Sequence, residues 1–540
     1  MGKKIGFLFL LFIIVISVYS QPPKPKLIIG IVVEQMRYDF LERYWEKYDL
    51  NGFKAIINGG LYYRNATHNY MFAQTGSGHA SISTGTTPSQ HGIVSTYWYD
   101  TKKKEYIYCA ADKNTHTVGS SSKEGNMSPI NLLSTTIGDE LLLASMQRSK
   151  VISVALTDCA SIFMGGHTAN AAYWFDKQSG NMISSSHYLE RLPSWVEDFN
   201  YSRYADFYLT KDWNTAISIN EYWESMPDNN VYEKGFDGGR KIFPYKLEEI
   251  HKETPGYDFF TQTPFANTLI AKFAMEAIKN EQLGKDAITD YLTISFSATQ
   301  NLGTDFGPRS VEMEDMYIRL DMDIYNLLDF IDKEVGIENT LIYLTSDHGT
   351  NDYPNYLKDN GLPAGTFNYK TAFSLLKVYL SALYGREEWV LAYLNQQFYL
   401  DRDLLEDKKM SLNPIQADAA RLLLQFTGVS NVVPASDLKT QTFANQYVQS
   451  MQNSYYEKRS GDVIINLENG WVEEGENAIS YNSPYSYDTH VPLIWYGWKI
   501  KPANCYRKIN ISDIAPTISA ILSIPFPSAC TGTPLEEVVK

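Results

Sequence analysis

The sequence predicts an α/β fold built on a doubly wound, mainly parallel sheet that is flanked by helices and carries an inserted cap region. Apolar, β-branched runs alternate along the chain with stretches of helical periodicity, as in strands joined by helical crossovers. Most of these runs end in polar residues, which makes their ends candidate parts of a site. The runs are residues 26–36, 150–158, 290–300, 339–349 and 490–497.

Two sections interrupt this alternation. The section from about 174 to 265 is aromatic and rich in loops, and it predicts a cap inserted into the domain. The section from about 358 to 459 predicts a helical subregion. We therefore expect one domain over residues 21–540 with two elaborations.

The start of the chain predicts a signal peptide over residues 1–20. Two lysines precede the apolar run 5–18, and small and polar residues follow it. The run is shorter than the roughly 20 apolar residues that a spanning helix needs, and no later segment is long and apolar enough. We expect a cleaved leader, no membrane span, and a periplasmic or secreted protein.

Composition limits the possible partners. The formal net charge is −15, and no basic stripe interrupts the acidic pattern, so nucleic acid is excluded as a partner class. A phosphate-processing site in such a chain needs local positive charge or a metal. The oligomeric state stays open.

The four cysteines are consistent with an oxidising compartment and one or two disulfides. Cys505 and Cys530 form the preferred bridge because both lie near the C-terminus. Cys109 and Cys159 are equally compatible with free buried thiols.

Candidate functional residues stand where the predicted strands end, and ligands of open α/β sheets bind there. They are Glu34, Thr157, Asp158, Gln300, Asp347 and His348. The carboxylate and imidazole of the adjacent Asp347 and His348 suit zinc. A solvated loop, or an aspartate that merely orients a histidine, would give the same pair.

The stretch TGSGHASISTG, residues 75–85, predicts a glycine-rich turn that opens a helix. Gly76 and Gly78 let the backbone approach a ligand, and a helix N-terminus favours an anion. Thr75 is then a candidate nucleophile, with a helix-capping role as the simpler alternative. His490 precedes the last apolar run and is either a ligand or a structural histidine at a strand edge.

Six segments resemble, in this order, the motifs of the alkaline phosphatase superfamily: VVEQMRYDFL, TGSGHASISTG, PSQHGIVSTYWYD, SATQNLGTDFGPRS, LTSDHG and YDTHVPLIWYG. The similarity is to its phosphate-irrepressible, threonine-nucleophile branch, which is related to nucleotide pyrophosphatase/phosphodiesterases. It extends over nearly the whole chain after the leader. The resemblance implies a phosphohydrolase in which two zinc ions activate a threonine alkoxide and stabilise the leaving oxygen.

Within this resemblance, Thr75 has the nucleophile position. Thr75, Glu34, Asp347 and His348 have the ligand positions of the metal that activates the threonine. Glu34 stands where the family usually has an aspartate, a change that keeps the carboxylate and adds one methylene.

The second metal site departs from the family pattern. Gln300 and Thr304 stand where the family usually has an aspartate and a histidine, and a neutral amide and a hydroxyl are poor zinc ligands. Only His490 matches the third ligand. Asp305, next to Thr304, is a carboxylate that a local shift could recruit.

The groups that hold the phosphoryl oxygens are also replaced. Thr157 and Cys159 stand where the closest branch has a lysine and an arginine, and Thr96 stands where it has an asparagine. Loss of one preorganised electrostatic contact costs about 3 to 4 kcal/mol of transition-state stabilisation.

The resemblance and its departures together predict an exported, catalytically impaired alkaline-phosphatase-like protein. It would hold at most one zinc ion, and it would act by binding a phosphate-ester ligand or a protein partner, or as part of an assembly. The alternative is an active metal-dependent phosphomonoesterase or phosphodiesterase that uses Thr75, with one zinc ion or with a rebuilt second site. A sulfatase proper would need a Cys or Ser in a different motif, and a phosphomutase or phosphoglycan transferase rests on analogy alone.

Overall fold

A central sheet of eleven strands organises the part of the chain that this computed structural model describes, residues 24–236, 239–475, 479 and 481–540. The strands are β1 (Leu27–Val33), β2 (Leu61–Thr67), β3 (Thr117–Val118), β4 (Val151–Ala155), β5 (Ala171–Phe175), β6 (Met182–Ser185), β7 (Asp290–Phe296), β8 (Thr340–Thr345), β9 (His490–Gly497), β10 (Ala503–Cys505) and β11 (Ile509–Asn510). Their order in the sheet is β10-β2-β9-β8-β1-β7-β4-β5-β6-β3, and β11 also pairs with β2. The predicted signal peptide, residues 1–20, lies outside the described residues.

The middle of the sheet is parallel, and its register aligns the strand ends. β8, β1, β7, β4 and β5 run parallel, with Val33 of β1 opposite Phe296 of β7 and Val32 opposite Thr345 of β8. The residues that follow these strands therefore emerge side by side. β9 runs antiparallel to β8, so its first residue, His490, lies at the same edge of the sheet.

Both faces of the sheet are covered by helices, because the side chains of each strand alternate between two apolar cores. Ile29 and Ile31 of β1 pack on one face, and Ile28 and Val32 pack on the other. The first face carries helices Tyr38–Arg43, Phe53–Gly59, Ser194–Tyr201, Tyr204–Leu209, Pro264–Asn280, Ala298–Phe306 and Val311–Glu334. The second carries Thr75–Thr84, Ile137–Ala144, Asp158–Gly165, Ile514–Leu522 and Glu536–Val539. The predicted doubly wound α/β fold is confirmed.

The section predicted as a cap, 174–265, is continuous with this architecture. It begins inside β5 and contains β6, and its later part packs Trp213, Phe236 and Tyr245 into the core of the first face. Besides the two helices of the first face, it holds helix Leu247–Glu253 and the strand pair Asp212–Trp213 and Tyr245–Lys246. Many of its aromatic residues are thus core residues of the main domain, whereas Tyr201 and Trp223 are exposed.

The section predicted as helical, about 358–459, also contains strands. Helices Tyr369–Tyr384 and Leu412–Leu423 pack on a four-stranded antiparallel sheet around a separate core. Its strands are Val390–Leu394, Gln397–Leu400, Val429–Pro434 and Val463–Leu467. The first two are joined by Asn395 and Gln396, both with positive φ, as in a two-residue hairpin turn.

All four cysteines are free thiols in the structure, so the predicted Cys505–Cys530 bridge is wrong. The Sγ atom of Cys505 lies 3.8 Å from Glu537 Oε1, at the edge strand β10. Cys530 instead lies beside Gly85, at the end of helix Thr75–Thr84. The alternative of free, buried thiols is confirmed for Cys109 and Cys159.

No helix within the described residues has both the length and the apolar character needed to cross a bilayer.

Candidate active-site pocket

Thr75 is the first residue of helix Thr75–Thr84 and lies at the floor of a cavity of about 770 Å³. Gln74 and Ser77 form a reciprocal capping box, in which the Gln74 backbone N–H donates to Ser77 Oγ at 3.0 Å. Gly78 lets the helix meet the loop after β8, because a Cβ atom at this position would stand 2.6 Å from the Asp347 carbonyl oxygen. The helix start is therefore fixed against the end of the sheet.

Asp347 is completely buried below Thr75, and only one of its two carboxylate oxygens accepts hydrogen bonds. Its Oδ1 accepts from the backbone N–H groups of Gln35 at 3.0 Å and His348 at 2.9 Å. Its Oδ2 has no hydrogen-bond partner, although it is buried. His79 Nδ1 lies 3.8 Å from this oxygen and His348 Nε2 lies 3.5 Å from it. Such an orphaned carboxylate oxygen between imidazoles is suited to a cation.

Glu34 brings a second buried carboxylate to the same place. Its Oε2 lies 3.5 Å from Thr75 Oγ1, and its Oε1 accepts from Thr157 Oγ1 at 3.4 Å and from the Ser297 hydroxyl. Burial and the nearby charge of Asp347 raise the pKa of Glu34 well above its ordinary value. Glu34 and Asp347 are therefore neighbouring carboxylates, and no lysine or arginine among the described residues forms an ion pair with either.

His348 completes the donor set that the sequence predicts for one metal. Its Nδ1–H donates to the Gly349 carbonyl at 2.7 Å, and its ring stacks on Tyr481 at 4.3 Å. The orientation leaves Nε2 directed at the site. The chemistry of Glu34, Asp347 and His348 fits one divalent cation. Within the described ranges, however, no three His, Cys, Asp or Glu side chains are already grouped as metal ligands.

The side chain of Gln300 lies between the nucleophile position and this histidine. Gln300 Oε1 accepts from Thr75 Oγ1 at 3.1 Å and lies 2.9 Å from His348 Nε2. A neutral amide is therefore in contact with both the hydroxyl and the imidazole that a catalytic centre would use.

The other residues predicted at the second metal do not converge on Gln300. Thr304 Oγ1 donates to the carbonyl of Gln300 at 3.0 Å, within its own helix. Asp305, the candidate replacement, pairs with Lys234 at 3.3 Å. His490 Nε2 donates to the Arg64 carbonyl at 3.0 Å, and His490 lines a separate cavity of about 590 Å³.

The three altered clamp positions do line the cavity above Thr75. The Thr96 amide N–H donates to Gln74 Oε1 at 2.9 Å. Thr157 donates to Glu34. A hydrogen bond with Cys109, together with burial, raises the pKa of the Cys159 thiol well above its ordinary value, so this thiol carries no charge at neutral pH. None of the three supplies a cation for a phosphoryl group.

Several residues of the pocket were missed by sequence reasoning. Ser297 directly follows β7, so its position at a strand end was a usable signal. Tyr481 and Asn482 come from the loop before β9, and Asn395 comes from the hairpin turn of the smaller sheet. These three residues belong to loops without a periodic pattern.

The sheet, the helix that begins at Thr75 and the carboxylates at the strand ends define an α/β protein with a candidate site at one edge of its sheet. Comparison with known proteins gives its family. The model of the type I phosphodiesterase/nucleotide pyrophosphatase family matches residues 28–490, and the chain belongs to this family.

Its relatives include alkaline phosphatases. The chain is 38% identical to alkaline phosphatase PhoV of Synechococcus elongatus, over 97% of this chain and 95% of PhoV. It is 37% identical to alkaline phosphatase PafA of Elizabethkingia meningoseptica, over 96% of this chain and 95% of PafA. A crystal structure of PafA matches with a TM-score of 0.92 at 36% identity, covering 96% of this chain and 100% of the other. The resemblance to the threonine-nucleophile branch is confirmed.

Proposed function

We propose that this chain is an exported alkaline-phosphatase-like protein whose catalytic site is impaired and which acts by binding. The observation that carries the proposal is the position of the Gln300 amide, in contact with both Thr75 Oγ1 and His348 Nε2. Gln300 stands at an anionic ligand position of the family, Thr304 offers only a hydroxyl that donates to the Gln300 carbonyl, and His490 donates to the Arg64 carbonyl. A second metal would therefore lack its protein ligands.

One zinc ion at most would bind to the residues that match the family's first metal site, which are Glu34, Asp347, His348 and Thr75. Bound there, zinc would lower the pKa of the Thr75 hydroxyl and favour its alkoxide. The chain itself holds the Thr75 hydroxyl against the Glu34 carboxylate and fixes the helix start that faces the pocket. It supplies no charged group at the three clamp positions.

The size of the loss favours impairment. Each lost contact to a transition state costs about 3 to 4 kcal/mol, and effects within one catalytic unit are not additive. Two fully independent losses would lower the rate at least about ten-thousandfold, and a single one lowers it about a hundred- to thousandfold. A PafA variant with a threonine, an asparagine, a lysine and an arginine substituted has also been crystallised, and these are the residue types of the nucleophile and clamp positions.

The second candidate function is an active phosphomonoesterase or phosphodiesterase. It is favoured by Thr75 itself, which stands at a helix N-terminus inside the cavity with Glu34 Oε2 3.5 Å away. PhoV and PafA are both named alkaline phosphatases, which supports the same function.

Zinc content and turnover of the purified mature chain separate the two functions. Zinc is measured by elemental analysis, and hydrolysis of para-nitrophenyl phosphate and bis-para-nitrophenyl phosphate is compared with a Thr75→Ala variant. We expect one zinc ion or none, with a rate equal to that of Thr75→Ala. Two zinc ions per chain with Thr75-dependent turnover would overturn the impaired site.

A further inference from the structure

We propose that the pocket above Thr75 binds a small organic ammonium ion in preference to a phosphate ester. This inference rests on the proposed loss of catalysis and names the ligand class of the same pocket. It follows from three properties of the lining: its charge, its aromatic rings and its committed amide donors.

The charge of the lining disfavours an anion. The described lining residues include four carboxylates, one lysine and no arginine; the carboxylates are Glu124, Asp158, Glu473 and Glu474. The lysine, Lys177, pairs with Asp258 at 2.6 Å. One divalent metal would offset only the two buried carboxylates below the floor, Glu34 and Asp347, and the described lining would still carry four carboxylates against one lysine.

Asp158 holds a negative charge at the former clamp positions, since it lies between Thr157 and Cys159. Its carboxylate accepts from the Tyr108 hydroxyl and from the Cys159 backbone N–H at 2.7 Å. Both of these donors are neutral. Burial raises the pKa of Asp158 to about 6, so the carboxylate is ionised at pH 7.5 and neither neutral donor offsets its charge.

Aromatic rings surround the same space. Tyr97 and Tyr108 form a tilted pair with ring centroids 4.9 Å apart. The other aromatic residues of the lining are Trp174, Phe175 and Tyr481. Aromatic faces attract ammonium groups, and the attraction grows as the cation is desolvated.

Two of the side-chain amides of the lining that could hold a phosphoryl group already donate within the protein. Gln74 Nε2 donates to Asn482 Oδ1 at 2.7 Å, and Asn395 Nδ2 donates to Ser95 Oγ at 2.6 Å. A cavity of about 770 Å³ with carboxylates, rings and occupied amides therefore fits a cation with an apolar body.

Three probes with one benzyl body test the charge preference: benzylammonium, benzyl alcohol and benzyl phosphate. Their binding to the mature chain is measured by isothermal titration calorimetry at pH 7.5. We expect benzylammonium to bind at least tenfold more tightly than benzyl alcohol, and benzyl phosphate more weakly than both. Tighter binding of benzyl phosphate, or equal binding of all three, would overturn the inference.

Asp158→Asn should weaken benzylammonium binding about tenfold and leave benzyl alcohol unchanged. Glu474→Gln, at an exposed position that tolerates substitution, should weaken it two- to threefold even if Asp158→Asn does not fold. Asp212→Asn, an exposed aspartate outside the pocket, is the matched control and should have no effect. Unchanged ammonium binding in Glu474→Gln and in a folded Asp158→Asn would contradict the proposed site.

The two proposals fail in different ways. Thr75-dependent hydrolysis together with ammonium binding overturns only the impaired function. An inactive protein that shows no preferential binding of benzylammonium overturns only the proposed ligand class.

Discussion

The two halves of the candidate centre differ in how their residues are held. Glu34, Asp347 and His348 follow adjacent parallel strands, are completely buried, and converge beneath Thr75. Gln300 and Thr304 lie on one helix, whereas His490 faces a different cavity. The first half is fixed by the register of the sheet itself. The second depends on side-chain chemistry, so it can be lost while the fold is kept.

The largest expected effect comes from restoring the second half of the centre by substitution. Gln300→Asp, Thr304→His, Thr157→Lys and Cys159→Arg together return the charges that a two-metal centre uses. We expect at least about a thousandfold gain in kcat/KM for para-nitrophenyl phosphate, because several transition-state contacts are restored.

The control for the rebuilt chain is the same set of substitutions combined with Thr75→Ala. This variant should bind zinc like the rebuilt chain and lose the gained turnover. A rebuilt, folded chain that binds two zinc ions and stays inactive would show that the first half is also damaged.

Removing a ligand from each half should have unequal effects on zinc. Asp347→Asn replaces a buried carboxylate with a neutral amide and should weaken zinc binding at least about a hundredfold. His490→Asn should leave zinc affinity unchanged, because the His490 ring donates to the Arg64 carbonyl. Competition with a chromogenic chelator measures both affinities, and equal losses would refute the difference between the halves.

A pair of glycine substitutions tests the contact between the Thr75 helix and the strand end. At Gly78 an added Cβ atom would stand 2.6 Å from the Asp347 carbonyl oxygen, whereas at Gly76 its nearest neighbour is Cys109 Sγ at 3.1 Å. Gly78→Ala should lower the free energy of unfolding by about 2 kcal/mol. Gly76→Ala should lower it less, because its nearest contact is longer, while the gain in helix propensity is common to both variants. Urea unfolding compares them, and equal stabilities would contradict the tight contact.

The sequence predicted the half that depends on strand ends and missed what depends on loops. Glu34 and Asp347 were readable because apolar runs end at them, and the glycines of residues 75–85 marked the turn. The walls of the pocket were not readable, since Asn395 and Tyr481 reach it from loops far away in the chain. The strand Val429–Pro434 was missed because polar residues interrupt its apolar pattern.

The partners of the cysteines were also beyond the sequence. Proximity in the chain favoured Cys505 with Cys530, but the fold places Cys505 on an edge strand of the sheet and Cys530 beside Gly85. Pairing of thiols depends on the distance in space, which the spacing of residues does not give.

The smallest expected effect is in the pH dependence of stability, at His68 and His490, two histidines that line the same cavity of about 590 Å³. Burial lowers the pKa of His68 from its ordinary value of 6.5 to about 4, and its Nε2–H donates to the Ser346 carbonyl beside Asp347. Between pH 6.5 and about 4, His68 is protonated in the unfolded chain and neutral in the folded chain, so the free energy of unfolding falls as the pH drops. His68→Gln keeps a donor and should remove about 1.4 kcal/mol of the loss between pH 7.5 and 5.5. His490→Gln should remove less, because His490 is only partly buried. Urea unfolding at the two pH values checks both variants, and a larger effect at His490 would contradict the deeper burial of His68.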